Sequence, residues 1–332
     1  MLITRNHPCM RRIFLSVLLL ACCLLQAHAE DLGADAFPLR NHNPFLQVFG
    51  LPKFQTAELV RPDRFDLAIS YDISNDADVA ERTEGDLVID GEMQTLSLSL
   101  RRRAFERMEF GIDVPYVSLS GGSLDSVIKG WHNLVGLSNS MREDPNDQIQ
   151  HSFALDGTTY YELLAPESGL GDVQLSAAYA MQNVTFRAGI KLPTGDPDKL
   201  TGSGAADFSF GIYAGSTTTF FDRAFDYSGF LGVLVLGDGD VLPEFQESAV
   251  PYGGVALRWH ATDRLSLATQ LSLQGSYFDI DIYEIGGNTI QFAVGGDYRF
   301  KRTLLRLAII EDIAAGATPD FALHLSIRSF GR

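Results

Sequence analysis

Twelve stretches of period-two alternation between apolar and polar residues run from Phe65 to the C-terminus, and no other feature constrains the fold as much. In the first, Phe65, Leu67, Ile69, Tyr71 and Ile73 alternate with Asp66, Ala68, Ser70 and Asp72. Alternation at this period puts the apolar residues on one face of a strand and the polar ones on the other. Further ladders occupy 108–116, 173–179, 184–192, 208–214, 265–273, 290–298, 305–309 and 321–327, with less regular ones at 93–100, 227–236 and 253–259. A soluble sandwich and a membrane barrel both accept such strands.

The connections decide between them. Those over 75–92, 118–170, 193–206, 237–250, 279–287 and 312–319 are long or medium; those over 101–107, 181–183, 217–224, 260–263 and 300–302 are short. Long loops at one end and short turns at the other are the outer-membrane arrangement, and an even strand count puts both termini on the short-turn side. Basic residues (Arg101-Arg102-Arg103, Arg223, Arg264, Lys301-Arg302) collect at the short turns, and acids such as Asp76, Asp78, Glu81, Glu84 and Asp86 in the long loops. The reading is an all-β chain: an antiparallel transmembrane β-barrel of about twelve strands, with one short helix in a long extracellular loop.

On the polar faces lie Asp66, Asp72, Glu109, Asp113, Arg187, Lys191, Arg258, Asp297, Arg299, Arg306 and Arg328. A charge facing lipid at mid-bilayer costs about 2–4 kcal/mol, so these residues are expected to face the lumen as a structural network.

The N-terminus supplies the export route. Arg5, Arg11 and Arg12 precede an apolar run over 13–25, and Ala27-His28-Ala29 forms an A-x-A site before Glu30. That pattern is a secretory signal peptide (1–29), cleaved after Ala29 and too short to span as a helix. A lipoprotein signal cut before Cys22 is the weaker alternative, because the apolar run continues past Cys22-Cys23. All three cysteines lie in this segment, leaving the mature chain no thiol, disulfide or cysteine metal ligand. The net charge of −16 argues against nucleic acid as a partner.

Two segments do not read as plain strands. Residues 30–62 hold Asn41, His42, Asn43 and Phe45 among many apolar side chains and are expected to act as a plug or a periplasmic segment ahead of the barrel (63–332). Residues 123–137 carry Leu124, Val127, Ile128, Trp131, Leu134 and Val135 at helical spacing. Trp131 and His132 are lid candidates, against a reading in which the helix merely covers the barrel rim. Asp156-Gly157 reads as a hairpin turn within the 118–170 loop.

Asn41-His42-Asn43-Pro44-Phe45, Leu124-Asp125-Ser126-Val127-Ile128 with Trp131-His132 and Gly136-Leu137, and Ser168-Gly169-Leu170-Gly171-Asp172 resemble an uncharacterised family of exported bacterial proteins, described as a domain of unknown function. The resemblance covers most of the mature chain, implies an outer-membrane barrel and brings no assigned activity. Lys191-Leu192-Pro193-Thr194-Gly195-Asp196 also resembles a turn in outer-membrane proteins linked to uptake of aromatic compounds.

An outer-membrane enzyme is weighed and set third. No Gly-x-Ser-x-Gly elbow is present, although His324 and Ser326 share an inward strand face. The pairs Asp238/Asp240 and Asp196/Asp198 lack the full calcium-loop spacing, and Asp279 and Asp281 are read as same-face strand residues; no metal or cofactor is expected. The expected function is passive passage of a small-molecule solute, and the alternative a structural or surface-interaction barrel with a closed lumen. Expected partners are outer-membrane lipid, lipopolysaccharide and the barrel-assembly machinery.

Overall fold

A computed structural model describes residues 36–62, 64–82, 85–121, 149–182, 184–313, 319 and 321–331, with backbone alone over 77–82. Twelve strands form the wall: β1 (Phe65–Arg82), β2 (Gly85–Phe105), β3 (Met108–Ser120), β7 (Gln174–Met181), β8 (Val184–Lys191), β9 (Asp207–Phe220), β10 (Arg223–Val235), β11 (Ala249–Trp259), β12 (Leu265–Gln274), β13 (Thr289–Phe300), β14 (Thr303–Asp312) and β15 (Phe321–Gly331). Each pairs antiparallel with its neighbour, and β1 pairs with β15 from Phe65↔Gly331 to Asn75↔Phe321, closing the cylinder. Closure satisfies every wall strand's backbone groups on both sides, as a bilayer requires. All twelve sequence ladders correspond to wall strands.

The lipid-facing band follows from the alternation. Phe210, Ile212, Leu231, Val294, Leu307 and Leu325 are exposed on the outer face, while intervening polar residues such as Asp66, Asp72 and Asp297 are buried inside. Phe105, Phe220, Phe300 and Tyr298 lie near the short turns, where aromatic girdles of such barrels sit. Phe220 packs on Phe221 and Phe225 there.

Several boundaries differ from the sequence reading. Residues 75–82 and 85–92, expected as loop, continue β1 and β2 as one extended hairpin beyond the wall, paired through to Arg82↔Gly85. Backbone pairing does not need an apolar face once the strands have left the membrane. The expected 118–170 loop contains β4 (Gln150–Leu155), β5 (Thr158–Leu163) and β6 (Glu167–Leu170). β4 and β5 turn at Asp156 (φ 51°) and Gly157 (φ 76°), the left-handed pair that a tight hairpin demands, and β4 extends the sheet along β2. The helix expected over 123–137 lies outside the described residues. The described α-helix, α1 (Tyr283–Gly286), is in another long connection, together with Asp279 and Asp281, which are therefore not strand neighbours.

Candidate functional site

Residues 36–62 occupy the lumen as a two-legged hairpin. One leg rises from Ala36, whose carbonyl accepts from Arg306 Nη1 at 2.9 Å near the short-turn end. The apex meets the long connections at the other end. The second leg returns to Val60, whose N–H donates to Glu109 Oε2 at 2.6 Å.

The apex forms for local reasons. Asn43 N–H donates to Asn41 Oδ1 and Phe45 N–H to Asn43 Oδ1, both at 2.9 Å, so two side-chain turns flank Pro44. The reversal delivers Phe45 edge-on to Tyr161 and stacks Phe49 on Tyr277. Phe45, Leu46, Val48, Phe49 and Leu51 are all at most 2 % exposed. Burying each is worth about 1.5–3 kcal/mol relative to leaving it in water.

Below the apex, barrel side chains grip the hairpin mostly through its backbone. Gln270 accepts from Phe37 N–H at 2.8 Å and donates back to its carbonyl at 3.3 Å. Lys191 Nζ donates to Val48 O, and Arg187 to Thr56 O and Glu58 O. Gly50 N–H donates to Asp207 Oδ2 at 2.8 Å. A Cβ on Gly50 would stand 2.9 Å from Lys191 Cβ and 3.0 Å from Asp207 Cβ, so only glycine lets the leg approach this closely. Phe54 enters an aromatic seat, 4.2 Å between centroids from Phe230 and 6.3 Å from Tyr252.

Among the described residues, and apart from Asp72, the paired inward charges form four groups. Asp66 binds Arg101 and Arg328, each at 2.5 Å, and Glu109 binds Arg187 at 3.0 Å and Arg101 at 3.8 Å. Asp297 binds Arg258 and Arg306, whose guanidiniums lie 5.9 and 5.4 Å from the Phe37 ring. Asp113 holds both hairpin cations, Arg40 and Lys53. Lys191 bridges Asp172 at 2.8 Å and Asp207 at 3.1 Å, while Asp172 accepts from Gly195 and Ser203 N–H and Asp207 from Gly237 N–H. Arg299, expected within the structural network, has no ion pair among the described residues and lines the short-turn mouth, where the ladder ends. Among the described residues no group of three or more ligating side chains could hold a metal ion.

Asp72 meets two histidines. Its Oδ1 lies 2.6 Å from His324 Nδ1 and 3.6 Å from His42 Nε2, and His324 Nε2 is 3.0 Å from Ser326 Oγ. Asn41 donates to Gln274 Oε1 and Asn43 to Glu284 O. Trp131 and His132 lie outside the described residues and are not brought to this site.

Arg101, Arg40, Lys53, Asp172 and Asp207 are part of the site and were not among the sequence candidates. Arg101 carried a signal: it continues the inward Ser97–Ser99 alternation one residue beyond the expected strand end. Asp207 opens β9 in phase with the inward Ser209, one residue ahead of the expected ladder, whereas Asp172 precedes β7 outside any alternation.

The structure is similar to the COG4313 outer membrane channel from Pseudomonas putida F1, at 14 % identity and TM-score 0.52, over 83 % of this chain and 98 % of that one; the likeness shows a shared barrel fold. The NanC porin (9 % identity, TM-score 0.44, 81 % of this chain and 100 % of that one) and the toluene transporter TbuX of Ralstonia pickettii (9 %, 0.36, 92 % and 96 %) are more distant. No curated protein matches the sequence. Residues 13–330 match the model of a family described as protein of unknown function, DUF3187, and the chain belongs to that family.

Proposed function

We propose that the chain is an outer-membrane channel for a small solute, closed at rest by its own segment 36–62. The observation that carries this reading is that the lumen is filled by a separate segment rather than by the wall. Eight strands leave just enough interior for wall side chains to fill, whereas this twelve-stranded wall encloses two passes of chain. Withdrawing the hairpin would leave a polar, arginine-lined passage. Most of its hydrogen bonds to the wall run through backbone groups that water can satisfy equally well.

The test is deletion of residues 30–52. A folded, heat-modifiable barrel with larger and steadier conductance in planar bilayers than the intact protein is the expected result. A folded barrel that does not conduct would overturn the channel. A variant that no longer folds would favour a structural barrel with a permanently closed lumen.

The Ser326–His324–Asp72 chain favours a second, hydrolytic reading, since its distances match those of a nucleophile, base and orienting carboxylate. Against it, Ser326 is 6 % exposed and borders a cavity of only about 110 Å³, and Asp72 is also engaged by His42 of the inserted hairpin. Hydrolysis of a p-nitrophenyl ester that disappears in Ser326→Ala would establish the hydrolase. Equal background rates would leave the three groups as a buried polar network.

A further inference from the structure

Three close-set holds on the returning leg come from one stretch of the barrel. Gln47 Nε2 donates to the Leu200 carbonyl, Lys191 Nζ to Val48 O at 3.1 Å, and Gly50 N–H to Asp207 Oδ2 at 2.8 Å. Lys191 ends β8 and Asp207 opens β9, so all three holds belong to the 192–206 connection and its two anchors. We propose that Lys191 and Asp207 are the latch of the plug: they lock residues 47–50 to this connection, and the leg is released from the long-connection side when the connection moves. The proposal rests on the channel reading and gives that channel its point of release.

The latch is a single buried node. Lys191 is 2 % exposed and Asp207 1 %. The ammonium bridges Asp172 at 2.8 Å and Asp207 at 3.1 Å and also donates to the Ser203 hydroxyl. Backbone N–H groups complete both carboxylates: Gly195 (2.7 Å) and Ser203 (3.1 Å) at Asp172, Gly50 and Gly237 (2.9 Å) at Asp207. Gly50 is the plug's contribution; the other three come from two long connections. Asp240 N–H donates to Ser203 O at 2.7 Å and ties the 237–248 connection to the same point. Removing one member leaves a buried polar or charged group short of a partner, which costs more than the bond itself is worth. Such a cluster separates as a unit and not bond by bond.

The 192–206 connection is built to move as a block. Leu200 N–H donates to Pro197 O, Thr201 N–H to Asp196 O and Asp196 N–H to Thr201 Oγ1, so its middle is closed on itself. Its Leu200, with Val241 and Leu242 of the next connection, shares a buried cluster with Phe45, Leu46 and Phe49 of the plug. Displacing the two connections therefore undoes polar and apolar holds together. The lower leg is held differently. Arg187 donates to the Thr56 and Glu58 carbonyls, Thr185 to Ala57 O, and Val60 N–H donates to Glu109. These wall residues lie within strands paired on both sides. The displaceable holds are thus at the long-connection end and the rigid ones at the other, which sets the side of release.

The test follows amide exchange by NMR on the intact purified protein in detergent micelles, with planar-bilayer recordings beside it. In the native protein the amides of Gly50, Gly195, Ser203 and Gly237 are expected to share one opening free energy and one urea dependence, both below those of Val60. Lys191→Met should speed all four about tenfold or more, leave Val60 unchanged and raise the open probability. Gly50 accelerating alone would mean that the plug leaves without the connection. Val60 accelerating by the same factor would mean that the hairpin comes out whole. Either result overturns the latch, and so does coupled acceleration with unchanged current. If Lys191→Met does not fold, Gln47→Ala and Ser203→Ala, each removing one side-chain hold, are expected to give the same coupled response at smaller size, with the same outcomes overturning it. A 30–52 deletion that conducts beside a silent Lys191→Met removes the latch and keeps the channel; a folded deletion that does not conduct removes the channel itself.

Discussion

Lys53 Nζ donates to Asp113 Oδ1 at 2.7 Å, and the same carboxylate takes the guanidinium of Arg40 from the opposite leg of the inserted hairpin. One wall residue thus ties the rising and returning legs at the same height. Removing one partner of a buried pair strands the other at a cost of about 3–5 kcal/mol. Asp113→Asn strands two cations and should lower the melting temperature and raise the frequency of channel openings. Lys53→Met alone should do less, because Arg40 keeps the carboxylate occupied. In a double-mutant cycle on Lys53 and Asp113, coupling of about 0.5–3 kcal/mol is expected; strictly additive losses would mean that the bridge holds nothing.

Gly50 offers a way to unseat the hairpin without altering the wall. A Val side chain there would press on Lys191 and Asp207, two groups fixed by each other and by the loops they anchor. Gly50→Val is expected to keep heat-modifiable migration, a wall property, while raising single-channel activity in bilayers. Unchanged current with a normal fold would show that the leg can be displaced here without opening a path.

How much of this was legible depends on the range of the contact. The Asp297–Arg306 pair follows from local sequence: with the turn at Lys301-Arg302, residues 297 and 306 must face each other across β13 and β14. Asp72–His324 and Asp66–Arg328 lie across the β1–β15 seam, about 250 residues apart, and no periodicity specifies that register. The same holds for the hairpin. Its apolar residues marked 30–62 as unlike a free leader, but the partners of the described part (Asp113, Arg187, Lys191, Gln270) are scattered over the whole wall. The Lys191-Leu192-Pro193-Thr194-Gly195-Asp196 stretch read as a turn; that its lysine is a buried hub between two aspartates depends on where Asp172 and Asp207 meet it in space.

His151 should make the outer cap acid-labile. It lies in β4, outside the wall, at 0 % exposure, with neither ring nitrogen hydrogen-bonded among the described residues. Burial lowers its pKa from 6.5 to about 4. The unfolded chain therefore binds this proton at a higher pH than the folded one. The contribution to stability is complete above pH 6.5, falls as pH drops towards 4, and changes no further below that. The loss is about 3 kcal/mol. Amide exchange of residues 150–163 is expected to accelerate between pH 6.5 and 4.5 after correction for intrinsic rates, and His151→Leu should remove that acceleration. Identical pH profiles in both proteins would exclude His151 as the cause.

The sidedness of the barrel can be read with single cysteines, because the three native ones all lie within residues 9–23, ahead of the expected cleavage site. Asp240 sits exposed in a long connection whose Val241 and Leu242 share a buried cluster with the hairpin apex, and Lys301 is exposed at the tight turn between β13 and β14. A short basic turn and a long acidic loop on opposite ends match a periplasmic rim and an external face. The closing seam between β1 and β15 brings the start of the first wall strand and the end of the last to the Lys301 side. In intact cells, Asp240→Cys should react with an impermeant maleimide and Lys301→Cys should not; permeabilising the outer membrane should make Lys301→Cys reactive as well. The reverse pattern would place the arginine-lined short-turn mouth outside the cell, where it would meet solute before the hairpin apex does, and the hairpin would then have to enter from the external face. Equal labelling of both without permeabilisation would show that the barrel is not in a sealed outer membrane.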